Sequence, residues 1–249
     1  MNVVLDIRRF NPEDDRGTFN QTYDVEVDST DRVLDALMSI KRGEDRTLTF
    51  RKSCAHGICG SDAMLINGKE RLACKTLIQE VAEADGDTIH LEPLRHLAVE
   101  RDLIVRQISF FKKFESVRPF LIPKPREEAG EYLQTREERS EFDDATKCIL
   151  CQSCVSSCPV PDKNPGFIGP ASIVQAARFV FDSRDAGFEE RLAVLDHPDG
   201  VWACENHFEC TRVCPRGIKI TKLINLTKRK IQHYRKERGE QTKESGVTT

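Results

Sequence analysis

The feature that most constrains this chain is a cysteine run written twice. The first copy is Cys148, Cys151, Cys154 and Cys158-Pro159, and the second is Cys204, His207, Cys210 and Cys214-Pro215. Each residue of the second copy stands 56 positions after its counterpart, so the frame C-x2-C-x2-C-x3-C-P is duplicated with one position altered. Where this frame serves two iron–sulfur clusters, the fourth cysteine ligates the cluster of the other copy. The ligand sets therefore cross. One takes Cys148, Cys151, Cys154 and Cys214; the other takes Cys158, Cys204 and Cys210, with His207 where a further thiolate would stand. A cubane corner without its thiolate is the corner that loses iron most easily, so the sets imply [4Fe-4S] and [3Fe-4S]. Imidazole also ligates iron in some clusters, and a fourth iron held by His207 is the competing reading.

Three further cysteines, Cys54, Cys59 and Cys74, lie in SCAHGICGSDAMLINGKERLAC. They match the plant-type [2Fe-2S] spacing C-x4-C-x2-C with a distant fourth cysteine, except that Asp62 holds the third position. A carboxylate is an anionic oxygen donor for ferric iron, although harder than thiolate. Gly57 and Gly60 suit a backbone that wraps a cluster and turns its N–H groups inward. With Asp62 counted, the ten cysteines fill all three sets and leave no thiol over. The plainer reading of Asp62 is a surface carboxylate, with Ser61 or a water completing the site.

Disulfides are a poor account of these cysteines, because Asp6, Arg8 and Arg9 interrupt any apolar secretory leader. Structural zinc is the stronger rival, since C-x2-C is its common spacing. Zinc, however, closes tetrahedral sets and has no use for C-x2 steps that twice end in C-x3-C-P. No apolar run approaches the roughly 20 residues that cross a bilayer. A net charge of −3 carries no nucleic-acid signal, but the charge is uneven. An acidic stretch holds Glu127, Glu128, Glu131, Glu137, Glu138, Glu141, Asp143 and Asp144, whereas Arg216 to Arg238 carries nine Lys or Arg against Glu237. The basic stretch is either a solvated helix face or a surface for anionic head groups or an acidic partner.

Alternation at Val3, Leu5, Ile7 and at Tyr23, Val25, Val27 predicts two paired strands. Ser29, Thr30 and Asp31 offer N-cap oxygens to a helix carrying Val33, Leu34, Leu37 and Met38. Asn67-Gly68 marks a tight hairpin, and Thr88 to Leu91 supplies another strand. The pattern predicts an α+β fold with a small mixed domain over residues 1–105. A helix from Leu103 to Phe114 and a proline-spaced linker fill 106–145, and an all-helical cysteine domain occupies 146–249. Its helices are expected from Pro170, over Glu189 to Leu195, and over Ile220 to Tyr234.

Nearly the whole chain resembles the iron–sulfur subunit of succinate dehydrogenase and fumarate reductase, the respiratory complex II family. The resemblance is carried by SCAHGICGSDAMLINGKERLAC, LEPLRHLAVERDLIVR, CILCQSCVSSCP, FIGPASIVQAARFVFDSRD and GVWACENHFECTRVCPRGI. It implies an N-terminal plant-type ferredoxin domain of β-grasp fold holding [2Fe-2S], then a helical bacterial-ferredoxin-like domain holding [4Fe-4S] and [3Fe-4S]. It also implies a relay from FAD in a separate flavoprotein subunit, through the three clusters in turn, to a quinone at a hydrophobic membrane anchor. The chain would lie on the cytoplasmic face of the bacterial inner membrane and carry no catalytic residue for succinate. Some members of the family place Asp at the position of Asp62. Others carry tryptophan shortly after the proline of the first run, but Pro159 to Pro170 contains none, and the lone tryptophan is Trp202. Pro159 and His207 remain as candidates for lining the quinone end, against a plain solvated imidazole for His207. Fumarate reduction in reverse and a free multi-cluster ferredoxin are the alternative functions.

Overall fold

The computed structural model describes residues 1–125 and 130–239; Glu127 and Glu128 of the acidic stretch lie outside them. Strands β1 (Asn2–Phe10) and β2 (Thr18–Glu26) pair antiparallel with Val3 opposite Val25 and Leu5 opposite Tyr23. Period-two burial along both strands puts these side chains on one face. Helix α1 (Val33–Gly43) covers that face with Val33, Leu34, Leu37 and Ile40. Strands β3 (Ala63–Ile66), β4 (Lys69–Leu72) and β5 (Thr88–Glu92) complete a mixed sheet ordered β2-β1-β5-β3-β4, with β5 parallel to β1. One helix held in the curve of a mixed sheet is the β-grasp arrangement expected of this half. Asn67 and Gly68 both take positive φ, 50° and 75°, as a two-residue hairpin turn requires.

Two local expectations need correction. Ser29, Thr30 and Asp31 do not cap α1. Its free N–H groups are taken by tertiary carbonyls instead: Val33 donates to Thr76 and Leu34 to Ala73, at 3.0 and 3.1 Å. The helix start is thereby fastened to the segment that carries Cys74. The helix expected from Leu103 is also displaced. Ile104–Val105 is strand β7, paired with β6 (Val99–Arg101), and helix α2 spans Ile108–Ser116. The reason is Asp102 at the turn between them. It is 3% exposed, and it accepts from Arg9 Nε at 2.9 Å, Thr49 N at 2.8 Å and Phe10 N at 3.1 Å. Those bonds outweigh a local helical pattern.

Beyond α2 the proline-spaced segment runs along the helical half and is stitched to it. Ala186 N donates to Ile122 O at 2.7 Å and Lys124 N to Arg184 O at 3.0 Å. The wholly buried Arg191 grips the carbonyls of Arg118 and Phe120 and the carboxylate of Asp185. Helix α3 (Arg136–Thr146) then delivers the chain to Cys148. Short helices α4 (Ser153–Ser156) and α5 (Val160–Lys163) follow the first run's ligand positions. Helix α6 (Pro170–Val180) begins at its proline as expected and buries every residue except Arg178. Helices α7 (Phe188–Leu195), α8 (Glu209–Arg212) and α9 (Ile220–Glu237) complete this half. Its core joins Ile173, Val174, Ile220 and Ile224 to Cys154, Cys158 and Cys210, so the thiols belong to the packed interior. Among the described residues no helix is long and apolar enough to cross a membrane.

Candidate iron–sulfur centres

The duplication in sequence is a duplication in backbone. Leu150 and Gln152 take positive φ, 54° and 68°, and 56 positions later Asn206 and Phe208 take 61° and 66°. Helix α8 likewise repeats α4 at the same offset. Left-handed conformations at non-glycine residues cost on the order of 1–3 kcal/mol each. Alternating them with right-handed residues makes a concave row of N–H groups suited to anionic sulfur.

The two runs enclose two cavities. Cys148, Cys151 and Cys154 line the first, bounding about 370 Å³ of atom-free space, and they are joined there by Cys214 from the second run. Cys204 and Cys210 line the second, about 310 Å³, and they are joined by Cys158 from the first. The structure thus brings together the crossed sets that the spacing predicts. Among the described residues no three His, Cys, Asp or Glu side chains close around the single point a mononuclear metal needs. Four thiols line the first cavity and three the second, donor sets suited to multi-iron clusters.

The chemistry of the donors fits as well. Burial raises the thiol pKa of Cys148, Cys151 and Cys210, takes that of Cys154 well above the usual range, and pushes that of Cys158 to about 11. Such groups ionise when a cation coordinates them. Only two buried side-chain polar atoms among the described residues lack a hydrogen-bond partner, Asp62 Oδ1 and Gln152 Oε1. Gln152 lines the first cavity, and Asp62 is the carboxylate of the cysteine loop.

In that loop Cys54 Sγ and Cys59 Sγ stand 3.3 Å apart. The N–H groups of His56, Cys59 and Ile58 donate to Cys54 Sγ and bring its pKa down to about 6. Cys74 is buried, and burial together with Asp62 pushes its thiol up to about 12. Asp62 is 2% exposed, and its Oδ2 accepts from Cys74 N at 2.5 Å. That bond fixes the carboxylate with its other oxygen unpaired, which the surface reading of Asp62 does not accommodate.

Gly60 joins the two halves. A Cβ there would lie 2.6 Å from Cys151 Cβ and 3.2 Å from Ile149 O, and its φ is +67°. The first cysteine loop therefore lies directly against the Cα and Cβ of Cys151, whose residue lines the first helical cavity. His207 and Pro159 both line the second cavity. His207 is exposed, and its Nε2 lies 2.8 Å from Glu205 Oε2. Trp202 donates to Asp196 Oδ1 at 2.7 Å, which fixes it within the fold.

The basic helix is less free than its composition implies. Lys228 donates to Cys204 O at 2.8 Å, Lys230 to Val180 O, and Arg235 pairs with Asp196. Lys222, Arg229 and Lys236 are exposed cations of α9. Residues that the sequence did not single out also reach the thiols. Ser153 Oγ lies 3.5 Å from Cys151 Sγ, and Thr221 Oγ1 lies 3.6 Å from Cys210 Sγ.

Family models agree with this geometry. A 2Fe-2S iron–sulfur cluster binding domain matches residues 4–112, and a 4Fe-4S dicluster domain matches residues 144–218. The chain is 41% identical over 218 residues to the fumarate reductase iron–sulfur subunit of Mycobacterium tuberculosis, covering 87% of each chain. The chain belongs to the family of succinate dehydrogenase and fumarate reductase iron–sulfur subunits. It is 39% identical over 240 residues to the mitochondrial succinate dehydrogenase iron–sulfur subunit of Dictyostelium discoideum, covering 93% of this chain and 83% of that one. The succinate dehydrogenase subunit of Coxiella burnetii is 38% identical over 225 residues, covering 89% and 94%. In structure, a chain of the Mycobacterium smegmatis Sdh1 complex in the apo form matches with a TM-score of 0.82 at 28% identity, covering 94% of this chain and 97% of that one.

Proposed function

We propose that this chain is the electron-transfer subunit of a membrane succinate:quinone oxidoreductase. The observation that carries the reading is the set of three thiol-bearing sites, with Gly60 packed on Cys151 where the first meets the second and both cysteine runs contributing to the second and the third. Cys54, Cys59, Asp62 and Cys74 hold [2Fe-2S]. Cys148, Cys151, Cys154 and Cys214 hold [4Fe-4S], and Cys158, Cys204 and Cys210 hold [3Fe-4S]. When bound, these clusters supply one-electron carriers whose potentials follow cluster type, hydrogen bonding to sulfur and burial. The protein's part is to fix the carriers in sequence, exclude water between them and donate N–H and O–H groups to the sulfurs. No residue of this chain acts as acid, base or nucleophile on the dicarboxylate, which is bound elsewhere in the complex.

The reading divides the chain into 1–105, 106–145 and 146–249. The FAD-containing flavoprotein docks at the first loop, where Ile58 is 58% exposed beside Cys59. The hydrophobic anchor and the quinone meet the opposite end, where Pro159, His207 and the half-exposed Phe208 surround the second cavity. Attachment is peripheral, through that anchor, on the cytoplasmic face of the bacterial inner membrane. Fumarate reduction uses the same relay in reverse, and the 41% identity to a fumarate reductase subunit favours it as the second reading.

Purification of the tagged chain from its native membranes tests the proposal. It predicts co-purification with a flavoprotein and an integral membrane protein, and reduction of the clusters by succinate. A chain isolated without partners and unreactive to succinate would return the free-ferredoxin reading. Rates in both directions with the native quinone separate succinate oxidation from fumarate reduction.

A further inference from the structure

The second helical cavity contains a two-hydroxyl chain that its counterpart lacks. Thr221 is 2% exposed, and its Oγ1 lies 3.6 Å from Cys210 Sγ and 3.0 Å from Thr211 Oγ1. The backbone N–H of Thr221 in turn donates to Thr211 Oγ1 at 3.0 Å. In the first copy the residue 56 positions before Thr211 is Val155, which has no hydroxyl.

Chemistry fixes the direction of this chain once Cys210 ligates iron. A coordinating cysteine has no proton left to give, so the contact must be O–H···S with Thr221 as donor. Thr221 has then spent its one hydroxyl proton and must accept from Thr211. The order runs from Thr221 N–H to Thr211 Oγ1, from Thr211 O–H to Thr221 Oγ1, and from Thr221 O–H to Cys210 Sγ. Each link polarises the next in a buried setting. Nor does the helix claim the donor. Thr221 is the second residue of α9, whereas Thr227, a turn and a half later, spends its hydroxyl on Leu223 O at 2.9 Å.

We propose that Thr221, oriented by Thr211, is a positioning residue that raises the reduction potential of the cluster held by Cys158, Cys204 and Cys210. The inference rests on the ligand reading above. A hydrogen bond to a thiolate stabilises the more negative, reduced cluster over the oxidised one, which makes the last carrier the better electron acceptor.

The test is potentiometric EPR on the assembled complex, comparing wild type with T221V, T221S and T211V. T221V is expected to shift the one-electron reduction equilibrium of the [3Fe-4S] signal about tenfold toward the oxidised form, about 59 mV lower in potential. T221S keeps the wild-type value, T211V falls between, and the other two clusters do not move. Pulsed EPR in deuterated water should show, beside the backbone amide deuterons common to every variant, one further exchangeable deuteron coupling that is present in wild type and T221S and absent from T221V. If T221V does not assemble its cluster, T211V decides: it must still lower the potential, and an unshifted T211V overturns the inference. An unshifted potential in T221V, or the same set of deuteron couplings in wild type and T221V, overturns the inference. Absence of the [3Fe-4S] signal from wild type would instead overturn the ligand reading beneath it.

Discussion

Residues 149–152 of the first cysteine run and 205–208 of the second follow the same backbone path, with left-handed residues at equivalent places. Their surroundings differ. None of the first four is exposed, because Ile149 and Cys151 pack against the core of the sheet domain. All of the second four are exposed, from Glu205 to Phe208. The altered side chain, His207 in place of Cys151, stands in the exposed copy. A duplicated motif thus yields two different carriers. The enclosed copy keeps four thiols and has the sheet domain as its neighbour. The open copy gives up one thiol at a solvent-exposed rim. Identical backbone sets where the clusters sit, and neighbouring side chains set what each can do.

The largest expected effect breaks or sustains the crossing of the two copies. Cys214→Ala changes the second run but should abolish the [4Fe-4S] signal of the first cavity and spare [3Fe-4S]. Cys158→Ala changes the first run and should remove [3Fe-4S]. Iron content and EPR of both variants check this; loss of each run's own cluster would mean that the sets do not cross.

A smaller effect sharpens the contrast between the enclosed and open copies. Gly60→Ala places a methyl group 2.6 Å from Cys151 Cβ at a φ of +67°. Overpacking of this kind costs roughly 1–3 kcal/mol. Gly68→Ala has open space around it at φ +75° and should cost only the conformational penalty, roughly 1 kcal/mol. Thermal melts of the two variants give the difference. Electron transfer from the [2Fe-2S] cluster should slow in Gly60→Ala and stay unchanged in Gly68→Ala.

The smallest effect concerns Asp62. Asp62→Cys should keep the [2Fe-2S] cluster while changing its EPR line shape and potential, since oxygen and sulfur donors differ in covalency. Asp62→Ala removes the acceptor of the Cys74 N–H and should loosen the loop as well. Spectra and potentials identical to wild type in both variants would take Asp62 out of the ligand set.

Much of this was legible in the sequence because it was periodic. Alternation at Val3, Leu5 and Ile7 specified a strand face, and the repeated cysteine frame specified which thiols would meet. What escaped was decided by distant partners. Ser29, Thr30 and Asp31 are the local cap candidates for α1, yet its donors reach Thr76 and Ala73, some forty residues away. Ile104–Val105 read as helix because the buried pairing of Asp102 with Arg9 has no local trace. Thr211 and Thr221 are unremarkable polar residues until folding sets their hydroxyls side by side. Lys228 and Lys230 looked like surface charge and instead bond backbone carbonyls.

The claim on which the account turns is that replacing one thiol position by His207 makes the second carrier a three-iron cluster. EPR of the oxidised complex, in wild type and in His207→Cys, tests it most directly. Wild type should give a [3Fe-4S] signal, replaced in His207→Cys by a second [4Fe-4S] cluster seen on reduction. Two [4Fe-4S] clusters in wild type, one of them with nitrogen coupling from a histidine ligand, would contradict it.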